Sequence, residues 1–336
     1  MKEFTVENKI FIKSNNTTTK IFNRYLYCLI PFILLFITYN LIWGSKLQII
    51  NLSKSISISL ITCLITQYIF NIIKKEKNIN KLFLEDRILT ISIILGLFSI
   101  NSETSIIILS SLASIIIKNL LKNTSISSSL YGILIILISS YITNDINTPL
   151  NNLKELSYIG TYENIVKPYG SILKYTIGYN SIYLSPVLSL VSFIYLFHKK
   201  SIKYNIVFSY LLTISFVMLS FGVLNNMNIW YVFFQLTTGN LLFLTIFCLT
   251  DYPSTPITYE GQTIYGIILG LITSILRFII PELSVAIPLI LGPILLTKTI
   301  NKISYKLKYN KIIYNILLSS ILLIVLIATI IINIVI

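Results

Sequence analysis

The chain has 336 residues, of which 55% are apolar or aromatic and 11% charged, and its mean hydropathy is +0.82. No water-facing surface can be built from so apolar a composition, so the lipid bilayer is the main solvent and a soluble globular domain is excluded. The net charge of +14 is spread over short loops beside apolar runs, so it calls for no nucleic acid as partner.

A hydrocarbon core of roughly 30 Å takes about 20 helical residues to cross, and every backbone polar group within it must be satisfied internally. The long Ile/Leu runs select helices over a closed barrel. Residues 1–23 form a polar arm without a cleavable leader, and the first apolar stretch runs into a second, so the chain is expected to be inserted and not secreted. The expected spans of the first group are Tyr25–Trp43, Leu47–Ile73, Ile88–Ile100, Ser105–Ile117 and Ser125–Ile142. Those of the second are Ser181–Phe197, Tyr204–Val223, Ile229–Thr250, Ile264–Ile280 and Leu283–Leu296, with an eleventh at Ile313–Ile336. The third, fourth and tenth are short, as broken or tilted helices are. The fold class is therefore all-α, a polytopic integral membrane protein of 10–11 transmembrane helices.

Basic residues set the orientation. The N-terminal arm up to Arg24 and the gaps after the second, fourth, sixth and tenth spans together carry 20 of the 26 Lys and Arg residues. The positive-inside rule places that side, and the N-terminus, in the cytoplasm, with the chain in the inner (cytoplasmic) membrane. The longest polar insertion, residues 144–180, then lies outside and divides the chain into halves of five spans, 24–143 and 181–297. An odd number of spans per half makes the halves opposite in topology, as in an inverted repeat. Residues 298–312 form a basic cytoplasmic loop before the additional C-terminal helix 313–336.

Cys28, Cys63 and Cys248 lie far apart inside apolar runs, and His198 is the one histidine, so neither a metal site nor structural disulfides are expected. The polar residues that stand out are Asp86, Asp145, Thr148, Asp251, Glu260, Arg277 and Glu282. Ionisable groups near or within spans are functional candidates. For Arg277 an alternative reading has it snorkel to the interface and pair with Glu282, closing a helix hairpin. The segment Thr250–Gln262 is rich in Pro and hydroxyl side chains and lacks Lys or Arg on the side where every other loop is basic. Such a stretch suits a fixed non-helical backbone, either a connecting loop or a binding loop.

The stretch Leu236-Thr237-Thr238-Gly239-Asn240 through Thr250-Asp251, then Ser254-Thr255-Pro256, Gly261, Ile264-Tyr265-Gly266, Gly270, Arg277 and Pro281-Glu282 resembles one family, without a gap from Leu236 to Arg277. It is similar to the D subunit of the Rnf electron transport complex, related to the B subunit of the sodium-pumping NADH:quinone oxidoreductase. Weaker matches in family order are Ser14–Ile21 before a span with Pro31, Thr148-Pro149-Leu150, and Gly178 with Ser181. The chain departs from the pattern where Asn240 stands for Gly, Tyr252 for Pro and Leu283 for Gly, and where Asp145-Ile146-Asn147 precede Thr148 in place of a small polar residue, Gly and Ala.

The resemblance implies a membrane subunit of an Rnf-type complex that couples electron transfer between ferredoxin and NAD, or a similar pair, to Na+ or H+ translocation. It implies FMN joined covalently at Thr148 by a flavin transferase. It further implies that Thr250, Asp251 and Ser254 belong to a cytoplasmic-side loop that holds a second flavin or shapes the ion route. The implied partners are the other subunits of the complex, the transferase and the lipid bilayer. Two alternatives stay open: a cofactor-less scaffold subunit of such a complex, and a small-solute permease.

Overall fold

In the computed structural model the described residues are 18–42, 46–73, 87–121, 126–143, 184–224, 230–237, 240–280 and 283–307, and they are helical with no strand among them. The eleventh expected span, Ile313–Ile336, lies outside them, as does the polar insertion with Asp145 and Thr148.

Each of the first ten expected spans holds a helix. The first half consists of α1 (Thr18–Ile42), α2 (Lys46–Ile73), α3 (Ile88–Phe98), α4 (Thr104–Leu120) and α5 (Ser129–Thr143). A 3-10 turn, Ile126–Ser128, leads into α5. The second half begins with α6 (Pro186–His198) and α7 (Tyr204–Leu224). Two short helices follow, α8 (Trp230–Thr237) and α9 (Leu241–Leu244), the latter running on as a π-helical turn, Thr245–Leu249. Next come α10 (Tyr259–Ile279) and α11 (Ala286–Leu291), then a π turn (Gly292–Leu296) and α12 (Thr297–Leu307). Among the described residues five helices are long and apolar enough to cross a membrane, and α8 with α9 make a sixth, bent by 54°. At 11 residues α3 is about 16 Å long, half of the hydrocarbon thickness.

Local chemistry explains the helix ends. Ser185 caps α6 by accepting from the Leu188 N–H at 3.4 Å, and Pro186 occupies the first turn, where its missing N–H costs nothing. At the other end Lys200 adopts φ 51, and the Ser201 N–H reaches back to the Leu196 carbonyl at 2.9 Å, closing a left-handed cap. The Thr258 hydroxyl starts α10 by accepting from the Gly261 N–H at 3.1 Å.

Within the first half α2 packs on α3 and α4, and α4 on α5. Hydroxyls tie these helices: Ser55 donates to the Gly96 carbonyl and Ser59 to the Ser92 carbonyl, both at 2.9 Å, and Thr62 bonds to Ser111. Within the second half the broadest contact is α7 on α10. Gly266 and Gly270 permit it, because a Cβ at Gly266 would lie 2.7 Å from the Ile206 carbonyl oxygen, and one at Gly270 3.0 Å from that of Tyr210. The halves meet where α1 touches α6 and α5 touches α11, and where Phe98 of α3 packs on Phe243 of α9 with ring centroids 5.8 Å apart. Phe32, Phe243 and Phe247 continue that aromatic core.

Candidate functional site

The N-terminal ends of α1, α5, α7 and α10, and the C-terminal ends of α6 and α9, converge on one end of the bundle, linked by polar contacts. At the centre lies Asp251, just after the π turn. Its carboxylate accepts from the Ser127 backbone N–H at 3.1 Å and the Ser127 hydroxyl at 2.8 Å, across 124 residues of chain. Asp251 is 3% exposed, so these charge-assisted bonds fasten the turn that starts α5 to the end of α9. Beside it the buried Tyr25 and Thr250 hydroxyls bond at 3.0 Å, and Thr250 also donates to the Ile246 carbonyl at 2.7 Å.

The loop beyond Asp251 folds back on itself. The Ser254 and Thr255 hydroxyls both donate to the Asp251 carbonyl, at 3.2 and 2.8 Å. This segment has no cation of its own, and Lys203, at the foot of α7, supplies one. Its Nζ donates to the carbonyls of Tyr252 (3.1 Å), Thr255 (3.2 Å) and Pro256 (3.1 Å) and to the Thr255 hydroxyl (2.7 Å), and lies 5.2 Å from the centre of the Tyr252 ring. Burial pushes the Lys203 ammonium down to about 8, against the pull of the Asp251 carboxylate. Burial also raises the Tyr252 phenol, while Arg24 acts the other way. Arg24 in turn donates to the Lys199 carbonyl at 2.9 Å and the Ser201 hydroxyl at 2.7 Å, joining α1 to the cap of α6.

The structure therefore brings together Thr250, Asp251 and Ser254, all buried, with their side chains turned into the protein. In this arrangement they shape the loop's backbone. The groups presented outward are Tyr252, Pro253, Ile257 and Tyr259, Ile257 being 81% exposed. On the far side the loop is pinned by Asn301 of α12, whose side-chain oxygen accepts from the Ile257 N–H at 3.2 Å. Ser127, Tyr25 and Lys203 were not singled out from the sequence. Of the three, Lys203 entered the sequence reading only as one of the basic residues that set the orientation.

Arg277 corrects one expectation. It does not snorkel: it is 5% exposed and turns inward between α7 and α10, close enough to the Tyr210 and Tyr231 phenols to act on them electrostatically. Glu282, its expected partner, lies outside the described residues, as does Asp86. Among the described residues no three His, Cys, Asp or Glu side chains come together, and Cys28, Cys63 and Cys248 are buried thiols.

One departure from the resembled pattern falls at the bend between α8 and α9. Asn240 sits there at φ 58, a left-handed conformation that Gly adopts freely and Asn tolerates, and its side-chain oxygen accepts from the Leu184 N–H at 3.0 Å. This is the position at which the resembled pattern carries Gly. The profile of the NQR2, RnfD, RnfE family matches residues 5–289, from ahead of α1 into α11. The chain belongs to that family. It is 34% identical over 105 residues to the D subunit of the Na(+)-translocating ferredoxin:NAD(+) oxidoreductase complex of Acetobacterium woodii. That match takes in 30% of this chain and 31% of the relative's length. In this member of the NQR2, RnfD, RnfE family the Asp251 junction and the short helices α3 and α9 thus lie within the matched region, and α12 lies beyond it.

Proposed function

We propose that this protein is a membrane subunit of an Rnf-type complex, coupling electron transfer between ferredoxin and NAD, or a similar pair, to Na+ or H+ movement across the inner membrane. The family match over residues 5–289 carries this reading. The N-terminus lies in the cytoplasm, so the Asp251 junction with its Arg24 and Lys203 contacts is the cytoplasmic face.

The architecture is a five-plus-five inverted repeat, 24–143 and 181–297, with the insertion 144–180 between them and the helix 313–336 appended. Contacts between the halves support it. A two-fold axis in the membrane plane would bring each axial element against its own counterpart, and the contacts between the halves include first with first (α1, α6), fifth with fifth (α5, α11) and, through Phe98 and Phe243, third with third (α3, α9), alongside α1 against α9. Within each half the second span packs on the fourth: α2 on α4, and α7 on α10.

FMN is attached through Thr148 on the outer face by a flavin transferase, an assignment that rests on the resemblance alone. Bound flavin would supply one- and two-electron chemistry, while the protein holds the ring within electron-transfer range and tunes it by local charge and hydrogen bonds. Thr250, Asp251 and Ser254 act by fixing the inner loop, so that a second flavin or the ion route there would use the shape they set. A second reading, a scaffold subunit without flavin, is favoured by Ile146, whose side chain stands where a Gly would let a transferase approach the backbone.

In-gel ultraviolet fluorescence of denatured protein co-expressed with its transferase, with Thr148→Ala alongside, tests the flavin. Fluorescence lost in the variant supports covalent FMN at Thr148. A dark wild-type band beside an active transferase leaves the scaffold reading standing.

A further inference from the structure

The turn that joins α3 to α4 stops well short of its neighbours, and the contacts between helices fix by how much. Ser55 and Ser59 of α2 donate to the Gly96 and Ser92 carbonyls of α3, and Thr62 of α2 bonds to Ser111 of α4, which runs the same way. Thr104, seven residues before Ser111, is therefore level with Ser55, and α2 begins nine residues earlier still, at Lys46. At 1.5 Å per residue α2 rises about 13 Å past the turn. Counting along α1 gives nearly the same answer. The Arg87 guanidinium lies 4.0 Å over the Phe22 ring, and from that level residues 22–42 of α1 rise about 30 Å while residues 87–99 rise about 18 Å. Helix α5 also outruns the turn: its Gly132 lies against the Ser110 carbonyl, and 11 residues then lead to Thr143 where α4 has six left to Thr104.

The two levels expose different chemistry. Leu41, Ile42, Leu47 and Ile50, toward the tops of α1 and α2, are each more than half exposed, a surface suited to hydrocarbon. On the turn below them Asn101, Glu103, Thr104 and Ser105 are exposed, and a carboxylate there must meet water. Beneath these, Ser99 at the end of α3 is 0% exposed, and its hydroxyl has no hydrogen-bond partner among the described residues. Such an oxygen is satisfied by water or by a cation.

We propose that the turn 99–104 is the floor of an aqueous recess in the outer face of the first half, through which water and hydrated monovalent cations reach the interior of the membrane beside the end of α3. This rests on the orientation and the ion-moving complex proposed above. A floor about 13 Å below the top of α2 lies well inside a hydrocarbon core of roughly 30 Å. The negative pole of α3 and the positive pole of α4 meet at the turn and offset each other, so Glu103, the one charged residue on it, sets the sign and favours cations. Were the bilayer surface level with the turn instead, the apolar tops of α1 and α2 would stand in water.

The test is cysteine accessibility of the full chain in right-side-out vesicles, read with membrane-impermeant methanethiosulfonate reagents. The native thiols Cys28, Cys63 and Cys248 are buried and set the background. Asn101→Cys and Glu103→Cys are expected to react, and Ile50→Cys, about 7 Å nearer the outer surface but facing lipid, to react about tenfold more slowly. At Asn101→Cys the ratio of cationic to anionic reagent rates should fall about threefold when Glu103→Gln is added, the effect of one unit charge at short range in water. Ile50→Cys reacting as fast as Glu103→Cys would put the bilayer surface at the turn and remove the recess. Inert cysteines at both 101 and 103, in variants that stay monodisperse in detergent, would do the same. A reagent ratio unmoved by Glu103→Gln would overturn the preference for cations, and reaction from the inner side alone would overturn the orientation together with the outer placement of the recess. Co-purification of other subunits reads the complex separately, so the recess and the complex can fail independently.

Discussion

The two principal helix contacts, α2 with α3 and α4 in the first half and α7 with α10 in the second, are built by different chemistry. In the first, Ser55 and Ser59 each share their single O–H between a carbonyl of α3 and one of α2. In the second, Ser209 and Thr213 bond only to their own helix, to the carbonyls of Asn205 and Tyr210 at 2.8 Å, and face Gly266 and Gly270. The first seam carries hydrogen bonds from hydroxyls to the facing backbone, while the second combines close shape at its glycines with the buried Arg277 beside Tyr210. Without a hydrophobic drive between helices in lipid, both depend on small residues.

The comparison breaks most sharply at the glycines. Gly266→Leu should cost about 3 kcal/mol, because the new side chain meets the Ile206 carbonyl, backbone that cannot rotate away. Loss of monodispersity and a fall in Tm in detergent would show it, and unchanged Tm would mean the seam has slack. Next comes the junction that joins the halves. Asp251→Ala strands the Ser127 N–H and hydroxyl and should cost about 2 kcal/mol. A double-mutant cycle with Ser127→Ala should be non-additive, and strict additivity would mean that the pair is not coupled. Ser55→Ala and Ser59→Ala should each cost about 0.6 kcal/mol, the usual worth of an interhelical hydrogen bond in a membrane, and their sum should stay below the Gly266→Leu effect. A larger cost would make the first seam the more dependent on its hydrogen bonds.

The finest distinction is one of pH. Lys203 titrates near 8 in the folded chain, below the ordinary lysine range of about 10.5. Between those values the unfolded chain binds a proton that the folded one does not, so stability rises with pH through this window. Below about 8 both states are charged and the folded chain carries the full cost of burying the ammonium. The Tm of the wild type relative to Lys203→Met should therefore climb between roughly pH 8 and 10, and a flat difference would show that Lys203 is solvated.

Much of the bundle was legible in the sequence. The ten segments stood out because the thickness of a membrane dictates their length and apolarity, and α3 could be suspected as a half-helix because its run is short. The break between α8 and α9 could not, because it falls inside an apolar run of full length. The loop Thr250–Gln262 stood out for what it lacks, a basic residue. Its anchors did not, because Ser127 is one serine among many and nothing local marks it as the donor to a carboxylate 124 residues away. Arg277 was left open between two readings for a related reason. Its position near a helix end fits an interfacial residue, and only the packing of α7 against α10 shows that it faces inward.

What the sequence determined by itself was whatever the solvent dictates: an all-helical membrane chain, the approximate ends of its spans, and, through the ungapped stretch from Leu236 to Arg277, its kinship. Hydrocarbon imposes those constraints residue by residue, so they can be read locally. The tertiary structure alone decided which small residues face each other, that α8 and α9 break at Asn240, and that Lys203 closes the loop after Asp251. Those are matters of pairing between distant segments, and in lipid, where apolar surface no longer discriminates inside from outside, pairing is chosen by shape and by a few buried polar contacts.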